Sequence, residues 1–179
     1  MSFLSTIPEN SGPEGIFMRY PESGMPLAQL TEQLMRGPSP LSVAERELIA
    51  AYTSGLNACQ LCYNGHTAAA EALGVESGLL ERLLEDLDGA DCDVKLKALL
   101  HYVRKLNEEP ARLTQSDLRA VMDAGWGEAA VYSAVSVCGL FNYMNRLSDA
   151  FGLRLSPESR ERVGAMLAEH GYEMHDDHG

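Results

Sequence analysis

The sequence predicts an all-α protein, a compact helical bundle, on three observations. Apolar residues recur at helical spacing in one segment after another, and capping signals open those segments while Gly or Pro closes them. No run alternates β-branched or aromatic residues as a strand would, and nothing repeats at a solenoid period.

The 179 residues, 45% apolar and 22% charged, suffice for one hydrophobic core. Residues 1–25 carry Pro8, Pro13, Pro21 and three glycines without lasting periodicity and read as an N-terminal arm with no assigned element, lying over the body or a neighbouring subunit. A single domain is expected over residues 26–171, followed by a polar tail, 172–179. Within the domain, Leu27, Leu30 and Leu34 give a first helix from Pro26 that stops at Gly37-Pro38. Ser42-Val43-Ala44-Glu45 has the form of a capping box, so a second helix begins at Val43 and runs through Ile49, Tyr52 and Leu56. A third starts near Cys59 and ends at Gly74, a residue suited to the left-handed C′ position.

Leu79, Leu80, Leu83, Leu84 and Leu87 mark a short amphipathic helix, and Leu96, Leu99, Leu100, Val103 and Leu106 a longer one ending before Pro110. Thr114 to Asp117 opens another, with Leu118, Val121 and Met122 on its inner face and Gly125 at its end. The longest apolar helix is expected over about 127–151; Ser133, Ser136 and Asn142 interrupt it, so it reads as a buried element. Ser156-Pro157 starts the last helix, with Val163, Met166 and Leu167 facing inward before Gly171.

Charge and hydropathy narrow the function. Fourteen Lys and Arg against 26 Asp and Glu give a net charge of −12, which repels nucleic-acid phosphate and anionic membrane surfaces alike. No stretch of eighteen or more apolar residues spans a bilayer, and residues 1–9 have neither a basic n-region nor a hydrophobic core, so a cytoplasmic protein is expected. In a reducing compartment the four cysteines do not imply a disulfide framework.

Cys59, Cys62 and His66 fall at i, i+3 and i+7, one stripe on one helical face. A Cys-x-x-Cys pair at a helix N-terminus suits thiolate chemistry, because the dipole and free N–H groups stabilise negative sulfur while one cysteine attacks and the other resolves. His66, one turn beyond Cys62, can accept its proton. Glu47, on the preceding helix and twelve residues before Cys59, can reach the stripe through a tight helical hairpin and orient the imidazole. Cys62 has the nearer base, whereas Cys59 has the helix start, so spacing alone leaves both open as the attacking thiol.

A lone His, or a Glu in the run Glu45-Arg46-Glu47, is ordinarily a satisfied or solvated side chain, so the weight rests on the cysteine pair. Cys59, Cys62, His66 and Glu47 are also donors that zinc accepts, and a non-catalytic metal-binding or redox-sensing protein is the alternative. Three ligands within two helical turns make poor tetrahedral geometry, which favours the dithiol, without metal, haem or flavin. Cys92 and Cys138 read as small buried hydrophobes, and His175-Asp176-Asp177-His178 as part of an acidic tail.

The spacing Glu47, Cys59, Cys62, His66, together with Leu41 to Ala50 before it and Asn64-Gly65-His66 at its end, resembles the signature of the alkylhydroperoxidase D and carboxymuconolactone decarboxylase superfamily. Ala124-Gly125-Trp126 and Phe141 to Arg146 are similar to the uncharacterised peroxidase-related branch. The resemblance implies an alkylhydroperoxidase D-like helical fold, trimers or hexamers, and a small hydroperoxide substrate. It also implies a disulfide re-reduced by a dithiol or lipoyl-type protein. By position, Cys62 would attack peroxide, Cys59 resolve, and His66 with Glu47 relay protons. Leu61 stands where alkylhydroperoxidase D has a second histidine, which shortens the relay. The decarboxylase branch generally lacks the cysteine pair, so lactone decarboxylation is disfavoured. The apolar Ile16-Phe17-Met18, which a monomer would have to cover, adds to the expectation of an oligomer.

Overall fold

The computed structural model describes residues 2–8, 11–154 and 156–172. Among them are nine α-helices, two short 3-10 turns and no strand, an all-α bundle. The helices are α1 (Pro13–Arg19), α2 (Pro21–Arg36), α3 (Val43–Leu56), α4 (Gln60–Ala72), α5 (Leu79–Glu85), α6 (Val94–Glu108), α7 (Gln115–Asp123), α8 (Glu128–Ala150) and α9 (Arg160–His170). None is long and apolar enough to cross a membrane.

The bundle is organised around α3, where Leu48, Ile49, Ala50, Ala51 and Tyr52 are all at most 2% exposed. Five consecutive buried residues leave no solvent face, so α3 is enclosed by α2, α4, α5, α6 and α8. Its start is fixed by a complete capping box: Glu45 N–H donates to the Ser42 hydroxyl, and the Glu45 carboxylate accepts from Ser42 N–H. Such a cap contributes about 1 kcal/mol. At the other end of the hairpin, α4 closes in a Schellman arrangement, with Val75 N–H on Ala70 O, Gly74 N–H on Glu71 O, and Gly74 at φ +97°. On its outer side α4 carries α9 at short range, since a Cβ on Gly164 would collide with Ala68.

Several expectations about the helices need correction. The first 25 residues are not devoid of elements: Pro13 and Pro21 open α1 and α2, because proline at the first helical position gives up no hydrogen bond. The helix expected from Pro26 therefore begins at Pro21 and contains Pro26. Ile16 and Phe17 are buried within the protomer and only Met18 is exposed, which removes that segment as an argument for association. Met166 and Met122 face solvent at 48% and 39% exposure: α9 docks on α4 through the small Gly164 rather than through a wide apolar stripe, and α7 buries only Val121.

Candidate thiol active site

The turn from α3 to α4 presents the cysteines. Ala58 adopts φ +56°, a left-handed conformation unusual for a residue with a Cβ, and the turn is closed by Cys59 N–H on Ser54 O at 3.0 Å. Cys59 is then the N-cap of α4, and Cys62 lies in its first turn. Both are free thiols, 0% and 2% exposed. The Cys59 thiol donates to the backbone carbonyl of Asn145 at 3.8 Å, and Cys62 Sγ lies 3.7 Å from the hydroxyl of Ser148. Cys59 makes no side-chain cap to the helix N–H groups. The dipole stabilisation that would make it the more acidic thiol is thus not reinforced by a hydrogen bond.

On the next turn, His66 Nδ1 is 2.7 Å from Glu47 Oε2. Glu47 is fully buried on α3, and its other oxygen accepts from Arg36 Nη2 and from the Tyr172 hydroxyl, each at 2.7 Å. A buried carboxylate needs such partners, because removing its hydration without them costs several kcal/mol. Arg36 comes from the end of α2, stacks over the Tyr172 ring at 4.9 Å, and donates to Leu167 O on α9. Gly171, at φ +69°, turns the chain so that Tyr172 points back into the protein. With Nδ1 donating to Glu47, the other ring nitrogen is the one left to take a proton. The imidazole is packed edge-on against Phe141, 4.4 Å between ring centres.

These contacts set the protonation pattern. With its S–H turned from the Asn145 carbonyl toward the neighbouring sulfur, Cys59 bonds Cys62 and pushes that thiol below its ordinary value; burial opposes this, while the charge of His66 and bonds from Ser148 and Asn145 add to it. The same pairing with Cys62, then burial, pushes the Cys59 thiol well up. For Glu47 burial acts upward, but the bond and charge of His66 and the charge of Arg36 hold the carboxyl below the ordinary range. Burial, then the Glu47 charge, keeps the Tyr172 phenol protonated, a donor rather than an acceptor toward Glu47. Of the two thiols Cys62 is thereby the more readily ionised, and the carboxylate-braced imidazole follows one turn along the same helix.

Side chains from five elements therefore meet here: Arg36, Glu47, Cys59 with Cys62 and His66, Asn145 with Ser148, and Tyr172. Sequence reasoning missed Arg36, Tyr172, Asn145 and Ser148. For the last two a signal existed, since Cys138, Asn142, Asn145 and Ser148 form a polar stripe at helical spacing inside an apolar helix. Asn145 belongs to a chain of amides: it donates to Ser54 Oγ and accepts from Asn57 Nδ2, while Asn57 accepts from Asn107, each at 2.9 Å. Cys138 is buried as expected, but Cys92 is only half-buried, because it lies in the connection between α5 and α6 rather than on a helix. Among the described residues no group of three or more His, Cys, Asp or Glu converges as metal ligands do. The sequence His175 to His178 lies outside the described residues.

Residues 21–104 match the model of the carboxymuconolactone decarboxylase family, a span that includes Arg36, Glu47, Cys59, Cys62 and His66 but not Ser148 or Tyr172. The fold is similar to that of an uncharacterised peroxidase-related protein from Silicibacter sp. TM1040, 26% identical, with a TM-score of 0.76 over 82% of this chain and 76% of that one. It is also similar to a peroxidase-related protein with an alkylhydroperoxidase AhpD core from Ralstonia eutropha JMP134, 20% identical, TM-score 0.76, covering 84% and 78% of the two chains. A protein of unknown function from Agrobacterium tumefaciens, suggested to be an AhpD antioxidant defence protein, is 15% identical, with a TM-score of 0.71 over 87% of this chain and 99% of that one. No curated protein matches the chain.

Proposed function

We propose that this chain is a member of the alkylhydroperoxidase D-like and carboxymuconolactone decarboxylase superfamily and a thiol-dependent peroxidase of antioxidant defence acting in the cytoplasm. The observation that carries the reading is the pair of buried free thiols at the start of α4, one turn from an imidazole locked by Glu47, with the Cys62 thiol pushed below its ordinary value. The Cys62 thiolate attacks one oxygen of a hydroperoxide, the O–O bond breaks, and the departing alkoxide takes a proton from the His66 imidazolium to leave as an alcohol. Cys62 is then a sulfenic acid. The Cys59 thiol attacks that sulfur, water leaves, and the two cysteines form a disulfide, which an external dithiol reduces while becoming a disulfide itself. Glu47 holds the imidazole through the proton transfers, Arg36 and Tyr172 hold Glu47, and Leu61 adds no second relay group.

Burial of both sulfurs fits a small peroxide and a slender reductant, such as a lipoyl arm carried by a protein, better than a bulky donor. Assembly as a homo-oligomer, a trimer or hexamer, belongs to the same proposal. Its support is the outer face of α8, where Tyr132 and Tyr143 are 71% and 53% exposed on either side of an uncovered Gly139. The test is peroxide consumption with hydrogen peroxide and an organic hydroperoxide, using dithiothreitol and dihydrolipoamide as reductants. Turnover that Cys62→Ser abolishes supports the reading; no consumption with any pair, from protein whose dithiol titrates fully, overturns it.

A further inference from the structure

Ser148 lies on α8, whose packing against α4 brings it to Cys62, and it is not among the four residues recognised from the sequence. It is 0% exposed, and the Cys62 sulfur, 3.7 Å away, is the partner its hydroxyl finds. A buried hydroxyl costs stability unless it bonds, so a serine directed at a sulfur rather than at a backbone carbonyl is a costly arrangement for packing alone. The placement is also braced. One turn earlier, Asn145 accepts the Cys59 proton on its backbone carbonyl and ties α8 to Asn57 at the end of α3 and to Ser54 within it. The α3–α4 turn and α8 are thereby held at fixed separation, with the cysteine pair between them.

We propose that Ser148 is a catalytic residue, whose hydroxyl donates a hydrogen bond to the Cys62 sulfur and stabilises it as the thiolate that attacks. This deepens the peroxidase reading and rests on it. The Cys62 S–H bond breaks with its proton passing to the His66 imidazole, while the serine O–H bond stays intact throughout. Ser148 supplies a neutral donor from α8, so it favours the anion without competing for the proton. The ionisable groups facing Cys62 are Cys59 on the same helix, His66 with Glu47 behind it, Arg36 and Tyr172 behind Glu47, and Asp149 beside Ser148 on α8, whose charge acts on Cys59. Replacing Ser148 changes none of these charges.

The test is the pH dependence of iodoacetamide labelling, resolved for each cysteine by peptide mass spectrometry, on Ser148→Ala and Ser148→Cys, the latter close in volume and a weaker donor. No peroxide is involved. Loss of one hydrogen bond to an anion raises the Cys62 midpoint by about one pH unit, a roughly tenfold loss of thiolate below it, in the alanine variant, and by less in the cysteine variant. A midpoint within ~0.2 unit of the parent in a folded variant overturns the proposal, and if the alanine variant does not fold the cysteine variant decides. A shifted midpoint in a protein inert to peroxide sinks the peroxidase reading alone. Peroxide turnover with an unmoved midpoint sinks the role of Ser148 alone.

Discussion

Glu47→Gln reaches the centre of the arrangement, because the carboxylate accepts from three donors with two oxygens: Arg36 and Tyr172 on Oε1, His66 on Oε2. Glutamine has one carbonyl oxygen and one NH2 group. If its oxygen keeps Arg36 and Tyr172, its NH2 faces His66 Nδ1, which must become an acceptor; the ring proton then sits on the other nitrogen, the one needed to take the proton of Cys62. General base catalysis is typically worth 10²–10⁴, so peroxide reduction should fall by about a hundredfold or more. Stability falls too, since a buried charge-assisted bond is lost and Arg36, 13% exposed, keeps its charge without a counter-ion. We expect a loss of about 2–4 kcal/mol, which lowers the melting temperature by roughly 5–15 °C for a chain of this size. The acid limb gives a further check. The folded-state pKa of Glu47 is depressed, so its contribution is present above the unfolded value near ~4.3 and is lost as pH falls through the lower folded value. Acid destabilisation below about pH 4 should therefore be weaker in the glutamine variant than in the parent. Stopped-flow peroxide kinetics and thermal melts at several pH values measure all three. Parental rate and melting temperature together would refute the reasoning and make the cluster a bystander.

Cys62 labelling by iodoacetamide should be half-maximal below the ordinary thiol value of 9.0 and Cys59 labelling above it, with Cys62 reactivity falling as pH drops through its depressed midpoint; the reverse order would exchange the two roles. Cys59→Ser, treated with one equivalent of peroxide, should accumulate a trappable sulfenate on Cys62, and Cys62→Ser none on Cys59. Ala58→Gly should leave the fold intact and stabilise it by about 0.5–1 kcal/mol in a denaturant titration, because glycine relieves the left-handed φ of +56°; a loss of stability would mean the turn is not strained. Sedimentation should show a species larger than the 19.5 kDa protomer, and Tyr132→Lys should weaken it; a monomer at micromolar concentration removes the oligomer from the account.

Helices with an apolar stripe and a cap were legible in the sequence, since periodicity and a capping box point the same way at α3 and α7. The elements misjudged were those where one residue type has two meanings. Proline stops a helix from inside but opens one at its first position, so Pro13 and Pro21 looked like breakers. Burial of Glu47 was hidden for a related reason: in a charged run a glutamate looks solvated, and only the arrival of Arg36 and Tyr172, 11 and 125 positions away in sequence, makes its burial tolerable. Arg36 carries no local mark of that role, and Tyr172 reads as part of a polar tail until Gly171 is seen to turn it inward. Local spacing could place Cys59, Cys62 and His66 on one face. It could not say that α8 would bring Asn145 and Ser148 to the sulfurs.

Whole-protein mass spectrometry of the reduced chain after one equivalent of peroxide tests the central claim most directly. The account predicts stoichiometric loss of about two mass units, with the new disulfide mapped to Cys59 and Cys62 and reversed by a dithiol. An unchanged mass, or oxidation confined to methionines and Cys92 while the pair stays reduced, would contradict it.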